Sequence, residues 1–200
     1  MFTGIVTAIG TVTEVEKLEA GAHRLTIASP WDKADLPLGA SVACNGCCLT
    51  VTGYAPQHGF TVDVSPETAK ITTLSAWEKN RRINLERGLK LGDPLDGHLV
   101  AGHVDGVGKI AKITPSGEAV EMTISYPQPM APFLAKKGSV TVDGVSLTVN
   151  HVDSGIFSIM LIPHTLGVTT LRDLKEGSEV NLEADLVSRY VLRVLEARNP

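Results

Sequence analysis

The chain has 200 residues, 43% of them hydrophobic, with 18 Lys and Arg against 22 Asp and Glu and a formal net charge of -4. That balance supplies no basic surface for nucleic acid or an anionic membrane, and no apolar run approaches the roughly 20 residues that span a bilayer. The opening MFTGIVTAIGTVTEVEK lacks the basic region and continuous apolar stretch of a signal peptide, and the three cysteines, all between positions 44 and 48, suit a reducing compartment, so a cytoplasmic location is expected.

In chain order, β-rich runs alternate with turn signals. Strands are expected at Phe2 to Val15 and Arg24 to Ala28, then a turn or short helix at Pro30 to Leu38. A hairpin follows at Asn45-Gly46, since a two-residue Asn-Gly linker suits a turn in which both residues need positive φ. Phe60 to Val64 and Ile83 to Glu86 read as strands, with a short helical turn at Thr72 to Glu78 between them. The pattern then starts again. Val100 to Ile113, Val120 to Ser125, Pro127 to Lys136, a hairpin at Asp143-Gly144, Phe157 to Leu161, Thr169 to Leu174 and Val180 to Glu183 follow in the same order.

The second series is a copy of the first. GASVACNGCCLTV at Gly39 to Val51 returns 98 positions on as KGSVTVDGVSLTV, with six of thirteen aligned pairs identical. FTVDVSPETAKITTL at Phe60 to Leu74 returns 97 positions on as FSIMLIPHTLGVTTL. A period near 97 is too long for a solenoid, so two similar globular domains are expected, residues 1–97 and 98–185, and about six antiparallel strands in each copy give an all-β fold class of two tandem six-stranded closed barrels. Residues 186–200 have no counterpart. Leu186, Val187, Tyr190, Val191, Val194 and Leu195 follow helical spacing after an N-cap at Asp185; such a helix either packs on its own barrels or meets a copy of itself, and because a closed barrel already covers its core the second is expected.

The duplication serves as an internal control on candidate sites. Cys44-x-x-Cys47 could be half of a zinc site, but the same positions in the second copy are Val142 and Val145, so both thiols are expected to pack across the hairpin. Cys48 is answered by Ser146, a thiol by a hydroxyl, and alternation puts Cys48 with Thr50 and Ser146 with Thr148 on one strand face each. That face is either a solvated surface or a polar site. Gly102 to Gly108 has the wrong spacing for a dinucleotide loop and no parallel βαβ unit around it. His103 is partnered by Ile5 and so belongs to one copy only, either a surface or core hydrogen-bonder or a catalyst; His98, His103 and Asp105 could bind metal, although five-residue spacing puts the two histidines on opposite strand faces.

The opening Met1-Phe2-Thr3-Gly4-Ile5-Val6, the runs Asn45-Gly46-Cys47-Cys48-Leu49-Thr50-Val51, Gly97-His98-Leu99-Val100-Ala101-Gly102-His103-Val104 and Asp143-Gly144-Val145-Ser146-Leu147-Thr148-Val149, and Thr169-Thr170-Leu171 together resemble riboflavin synthase of the alpha-chain type over essentially the whole length. The resemblance implies a homotrimer of subunits, each with two six-stranded antiparallel Greek-key barrels and a terminal helix that mediates assembly, with an active site between the first barrel of one subunit and the second barrel of the next. It implies a dismutation of two molecules of 6,7-dimethyl-8-ribityllumazine, one giving a four-carbon unit to the other to form riboflavin and 5-amino-6-(ribitylamino)uracil, with no cofactor or metal. Lumazine synthase is a further partner it implies.

Carried over by motif, the first pocket comprises Gly4, Ile5, Val6, Ser41, Cys48, Leu49, Thr50, Asp63, Val64, Ser65, Pro66, Glu67 and Thr68. The second comprises Gly102, His103, Val104, Lys137, Ser146, Leu147, Thr148, Ile162, Pro163, His164, Thr165, Leu166 and Gly167, with Phe2 covering the ligand ring. The chemistry implied needs a base at the C7 methyl of one lumazine and a nucleophile at C7 of the other. His103, Cys48 and Ser146 are the candidate groups, with Asp185 orienting or polarising and water an alternative nucleophile. His164 departs from the acidic residue of the family pattern. The rival readings are a non-catalytic relative such as lumazine protein, which has less need of the second copy's Ser146-Leu147-Thr148, and the flavin barrel of a reductase, which would want a neighbouring nicotinamide domain.

Overall fold

A computed structural model describes residues 1–56 and 58–198, so the last two residues of the predicted terminal helix, 199–200, lie outside the described residues. The first barrel contains β1 (Ala8–Lys17), β2 (His23–Ala28), β3 (Ser41–Cys44), β4 (Cys47–Ala55), β5 (Gly59–Val64) and β6 (Arg82–Arg87). The order is β1-β2-β5-β4-β3-β6, and β6 returns to β1 to close the ring. The second barrel repeats that connectivity with β7 (Gly106–Ser116), β8 (Ala119–Ser125), β9 (Ser139–Val142), β10 (Val145–Asp153), β11 (Ile156–Leu161) and β12 (Glu179–Ala184), closing through β9 and β10. Closure leaves neither sheet an open edge. Each interior is filled by the inward residues of its strands, Leu25, Ile27, Val51, Val62, Ile83 and Leu85 in one and Ile124, Val140, Val149, Ile159, Val180 and Leu182 in the other.

The two hairpin turns meet tip to tip. Asn45 and Gly46 have φ of 43° and 80°, and Asp143 and Gly144 have 45° and 78°, as the sequence of a primed turn demands. A Cβ on Gly46 would lie 2.7 Å from the backbone nitrogen of Gly144, so glycine is required by contact as well as by φ. Around this point runs a buried hydrogen-bond network. The Asn84 N–H donates to Asn45 Oδ1 (2.6 Å) and the Asn181 N–H to Asp143 Oδ1 (2.9 Å), while the amides of Asn84 and Asn181 donate across to the carbonyls of Asp143 (3.0 Å) and Asn45 (2.9 Å). Their side-chain oxygens accept from Thr170 and Thr73, both at 2.8 Å. The halves are thus joined by paired polar groups, the condition under which burying them is tolerated.

Strand β5 leads into helix α1 (Pro66–Ile71), where the Ser65 hydroxyl accepts from the Thr68 N–H, and β11 leads into α2 (Pro163–Val168), where Ile162 supplies no such cap. The helical turns expected next are present at Thr73–Ala76 and Thr170–Asp173. Helix α3 (Leu186–Arg198) starts at Asp185, whose carboxylate accepts from the Val187 N–H (2.9 Å). Its Val187, Tyr190, Val191, Val194 and Leu195 are each more than half exposed. Arg189 ties it down, pairing with Asp105 at 2.7 Å and lying over the Phe133 ring.

The structure corrects the two strands expected at Phe2 to Val15 and Val100 to Ile113. The barrel strands begin at Ala8 and Gly106, and the residues before them form crossing segments. Phe2 and Val100 pair with each other, each N–H donating to the other's carbonyl (2.8 and 3.1 Å). Each segment then lies on the barrel of the opposite repeat. Gly4 O accepts from the Ser146 N–H and Gly102 O from the Cys48 N–H, both at 2.8 Å.

Candidate active site

The alternation expected along β4 and β10 is observed: Leu49 and Leu147 point into the barrels, while Cys48, Thr50, Ser146 and Thr148 face outward. On the first barrel Ser41 pairs with Thr50 and Ala43 with Cys48, so Ser41, Cys48 and Thr50 share one outer face. Gly102 lies on this face, and it must be glycine. Its φ is +78°, and a Cβ there would sit 2.6 Å from the Cys48 Cβ. Gly4 occupies the equivalent place at φ +76°, with a Cβ 2.6 Å from that of Ser146.

That arrangement overturns the division of pocket residues by repeat. Gly102, His103 and Val104 belong with Cys48, Val104 being buried in the first barrel's core. Gly4, Ile5 and Val6 belong with Ser146, Val6 packing on the second core. His103 is exposed beside the Cys48 face, and Ile5 is exposed beside the Ser146 face. The cause is tertiary: a segment's repeat of origin does not decide which barrel it runs across. Phe2, expected over the ligand ring, is fully buried against Ala43 and Val100 with Cys48 packed on it, so it supports the first face from behind.

The remaining expected residues are placed differently from one another. Val64 is a core residue, and Leu166 packs partly on the second core. Ser65, Pro66, Glu67 and Thr68 form the start of α1, and Ile162, Pro163, His164 and Thr165 that of α2, with Gly167 in its last turn and Ile162 54% exposed where Ser65 stands in the first copy. Asp63 is engaged by Arg24 in a two-bond pair (2.7 and 3.0 Å), and that hydrogen bond holds its carboxyl below the usual range. Lys137, at φ 68°, donates its N–H to Val149 O, leaving its side chain exposed.

Three further functional candidates emerge: His98, read from the sequence only as a possible metal ligand, and Glu86 and Glu183, which the pattern did not single out. His98 Nδ1 lies 2.7 Å from the Ser146 hydroxyl, and its Nε2 is buried with no hydrogen-bond partner among the described residues. Burial pushes this imidazole below its ordinary value, opposed by the nearby Asp185 carboxylate. Glu86 accepts from the Thr3 N–H (2.6 Å), the Thr3 hydroxyl (2.8 Å) and the Gly4 N–H (3.0 Å). Glu183 accepts from the Ala101 N–H (2.8 Å) and the Gly102 N–H (3.0 Å). A signal existed in the sequence, since both repeats place Asn-Leu-Glu at the end of their last strand, a charge kept where apolar residues surround it.

The thiols divide as the internal control implied. Cys44 and Cys47 are buried in the first core, and burial pushes the first well above its ordinary value and the second up to about 12, so both stay protonated at neutral pH. Cavities of about 540 Å³ (Trp31, Tyr54, Phe60) and about 800 Å³ (Thr13, Val15, Trp77) lie toward the Ala55 end of β4, away from Cys48, and carry none of this chemistry. Within one chain each face is crossed by one of two segments, which pair with each other at Phe2 and Val100.

Residues 3–88 and 101–185 each match the lumazine-binding domain. Riboflavin synthase of Brucella abortus is 47% identical over 98% of both chains, and that of Bacillus subtilis 42% identical over 100% of this chain and 92% of its own. The chain belongs to the riboflavin synthase family. Among solved structures it resembles LumP complexed with riboflavin, at a TM-score of 0.81 and 26% identity over 92% of this chain and 99% of that one. LumP complexed with 6,7-dimethyl-8-(1'-D-ribityl) lumazine superposes at 0.80 with 24% identity and supports the fold. In riboflavin synthase terms the chain is an enzyme with two lumazine-binding repeats, whose outer faces differ in their side chains, Cys48 beside His103 on one and Ser146 beside His98 on the other.

Proposed function

We propose that the chain converts two molecules of 6,7-dimethyl-8-ribityllumazine into riboflavin and 5-amino-6-(ribitylamino)uracil. The observation that carries this reading is the pair of related but unequal outer faces in one chain, Cys48 and Thr50 with His103 on one, Ser146 and Thr148 with His98 on the other. Two identical substrates with different fates need such a pair. The two products contain all the atoms of two lumazines, so the conversion balances without oxidant, reductant or group carrier. Holding the rings together is worth up to about 7 to 11 kcal/mol in favourable cases. On the first face His103 is the candidate base for the C7 methyl, with Cys48 beside it. On the second, Ser146 with His98 at 2.7 Å forms a hydroxyl and base pair able to add to C7 or to activate water there, with Asp185 polarising the imidazole.

Each face of one chain is crossed by a segment of the other repeat, and we place each productive pair of lumazines between the first barrel of one copy and the second barrel of the next. The exposed apolar stripe of α3 is the surface proposed to assemble three copies, and a closed ring of this kind brings unlike barrels together at each interface. No helix among the described residues is long and apolar enough to cross a membrane. A cytoplasmic location and contact with lumazine synthase complete the proposal.

Turnover is tested by incubating the purified chain with the lumazine alone, in chelator, and following riboflavin by absorbance. Riboflavin formation at undiminished rate is expected. The likeness to LumP favours a second reading, a ligand holder: a saturable fluorescence change with no riboflavin would establish it in place of the enzyme.

A further inference from the structure

Each candidate face is completed by a segment that the other repeat's buried carboxylate holds. Glu183, on β12 of the second barrel, accepts from the N–H groups of Ala101 and Gly102, and Gly102 O in turn accepts from Cys48 N–H on the first barrel. The next residue is His103. The same segment is pinned again at Asp105, whose N–H donates to Leu182 O (2.8 Å) and whose carboxylate accepts from the Ala184 N–H (2.8 Å) and from Arg189 of α3 (2.7 Å). In the first repeat Glu86 holds Thr3 and Gly4 over Ser146, but Thr7 stands where Asp105 does, and no terminal helix follows β6. Arg189 of α3 therefore reaches the Cys48 face alone, while the Asp185 that starts the helix lies near His98 on the Ser146 face.

We propose that Glu183 is a positioning residue for the Cys48 face: its carboxylate sets where Gly102, and so His103, lie, and the Arg189–Asp105 pair ties that setting to the terminal helix. A carboxylate accepts both backbone N–H groups at once, whereas protonation turns one acceptor oxygen into a donor and releases one of them. The charged and titratable groups that face Glu183 are Asp105 on the crossing segment, Arg189 on α3 and the thiol of Cys47 on β4. Burial raises the Glu183 carboxyl to about 7; Asp105 raises it further, while the two backbone donors and Arg189 pull it down. Above that pH the wall is held by both bonds, and below it by one. Loss of α3 would remove Arg189, leave Asp105 unneutralised beside Glu183 and loosen the wall at neutral pH. A change at the assembly helix is felt in this way at His103.

The inference rests on the proposed turnover for its kinetic readout, and the amide resonances of Ala101 and Gly102 supply a second one that does not. In the full-length wild-type protein these resonances are expected to titrate with a midpoint near pH 7, and lumazine turnover to rise along the same curve. Glu183→Gln should abolish that titration and hold kcat about tenfold down across the range, with KM changed less. Arg189→Met should move the midpoint up, to about pH 8. An unshifted pH profile in Glu183→Gln, or a Gly102 amide that does not titrate in the wild type, would overturn the proposal, including the case where Glu183→Gln only lowers thermal stability. If the amides titrate as described and no riboflavin forms, the tether stands and the reading of function falls.

Discussion

At the scale of single residues, the duplicated positions separate what the fold requires from what the chemistry requires. Asn45 and Asp143 occupy one place in the inter-barrel network, yet burial raises the Asp143 carboxyl to about 7. In the unfolded chain it ionises near 3.9. Between those values the unfolded state loses its proton and the folded state keeps it, so stability falls as pH rises through this window. Asp143→Asn keeps the acceptor for Asn181 and removes the titration. It should raise the melting temperature at pH 8 and leave it nearly unchanged at pH 4, the full window contributing at most about 4 kcal/mol. A wild-type pH dependence retained in the variant would contradict this. His103 makes the complementary case, an exposed imidazole beside Cys48 with no structural duty. His103→Ala should lower kcat on the order of 100-fold while ligand affinity, read by fluorescence titration, changes little.

At the scale of elements, the hairpins, the β4 and β10 alternation and the helical turns were legible because each is written in local chemistry: Asn45-Gly46 demands a primed turn, and Cys48-Leu49-Thr50 demands alternating faces. The crossing segments were not. Phe2 to Thr7 reads as the start of β1, since its composition suits a strand, and nothing local distinguishes pairing with its own barrel from pairing with the other. Hence the first pocket was expected to hold Gly4 to Val6, whereas Gly102 to Val104 stand there. Glu86 and Glu183 were visible as a repeated charge but became meaningful only once their backbone partners were known. The swap has a consequence for the isolated first repeat, residues 1–97. Its Cys48 face lacks Gly102 to Val104, and the segment best shaped to replace them is Gly4 to Val6 of a second copy. The isolated repeat should therefore dimerise, with flavin affinity that falls on dilution through the dimer's dissociation range. Dilution-independent binding by a monomer would show that the face needs no second segment.

At the scale of the whole molecule, the duplicated fold followed from order and spacing and the family from the resemblance of a set of motifs to riboflavin synthase, and the comparisons agree with both. The assembly was legible only as an unpartnered apolar stripe, since which copy meets which barrel is set by geometry between chains. Removing Ser188 to Pro200 should abolish the oligomer in sedimentation while the barrels keep their β circular dichroism, because neither core contains a residue of α3. An unchanged sedimentation coefficient beyond the lost mass would assign the helix another role. The central claim is that two lumazines meet and only one becomes riboflavin. A mass balance on the purified protein with the lumazine as sole organic reactant tests it most directly. The account requires two lumazines consumed for each riboflavin formed, with one 5-amino-6-(ribitylamino)uracil released. One lumazine consumed per riboflavin, or consumption without the uracil product, would contradict it.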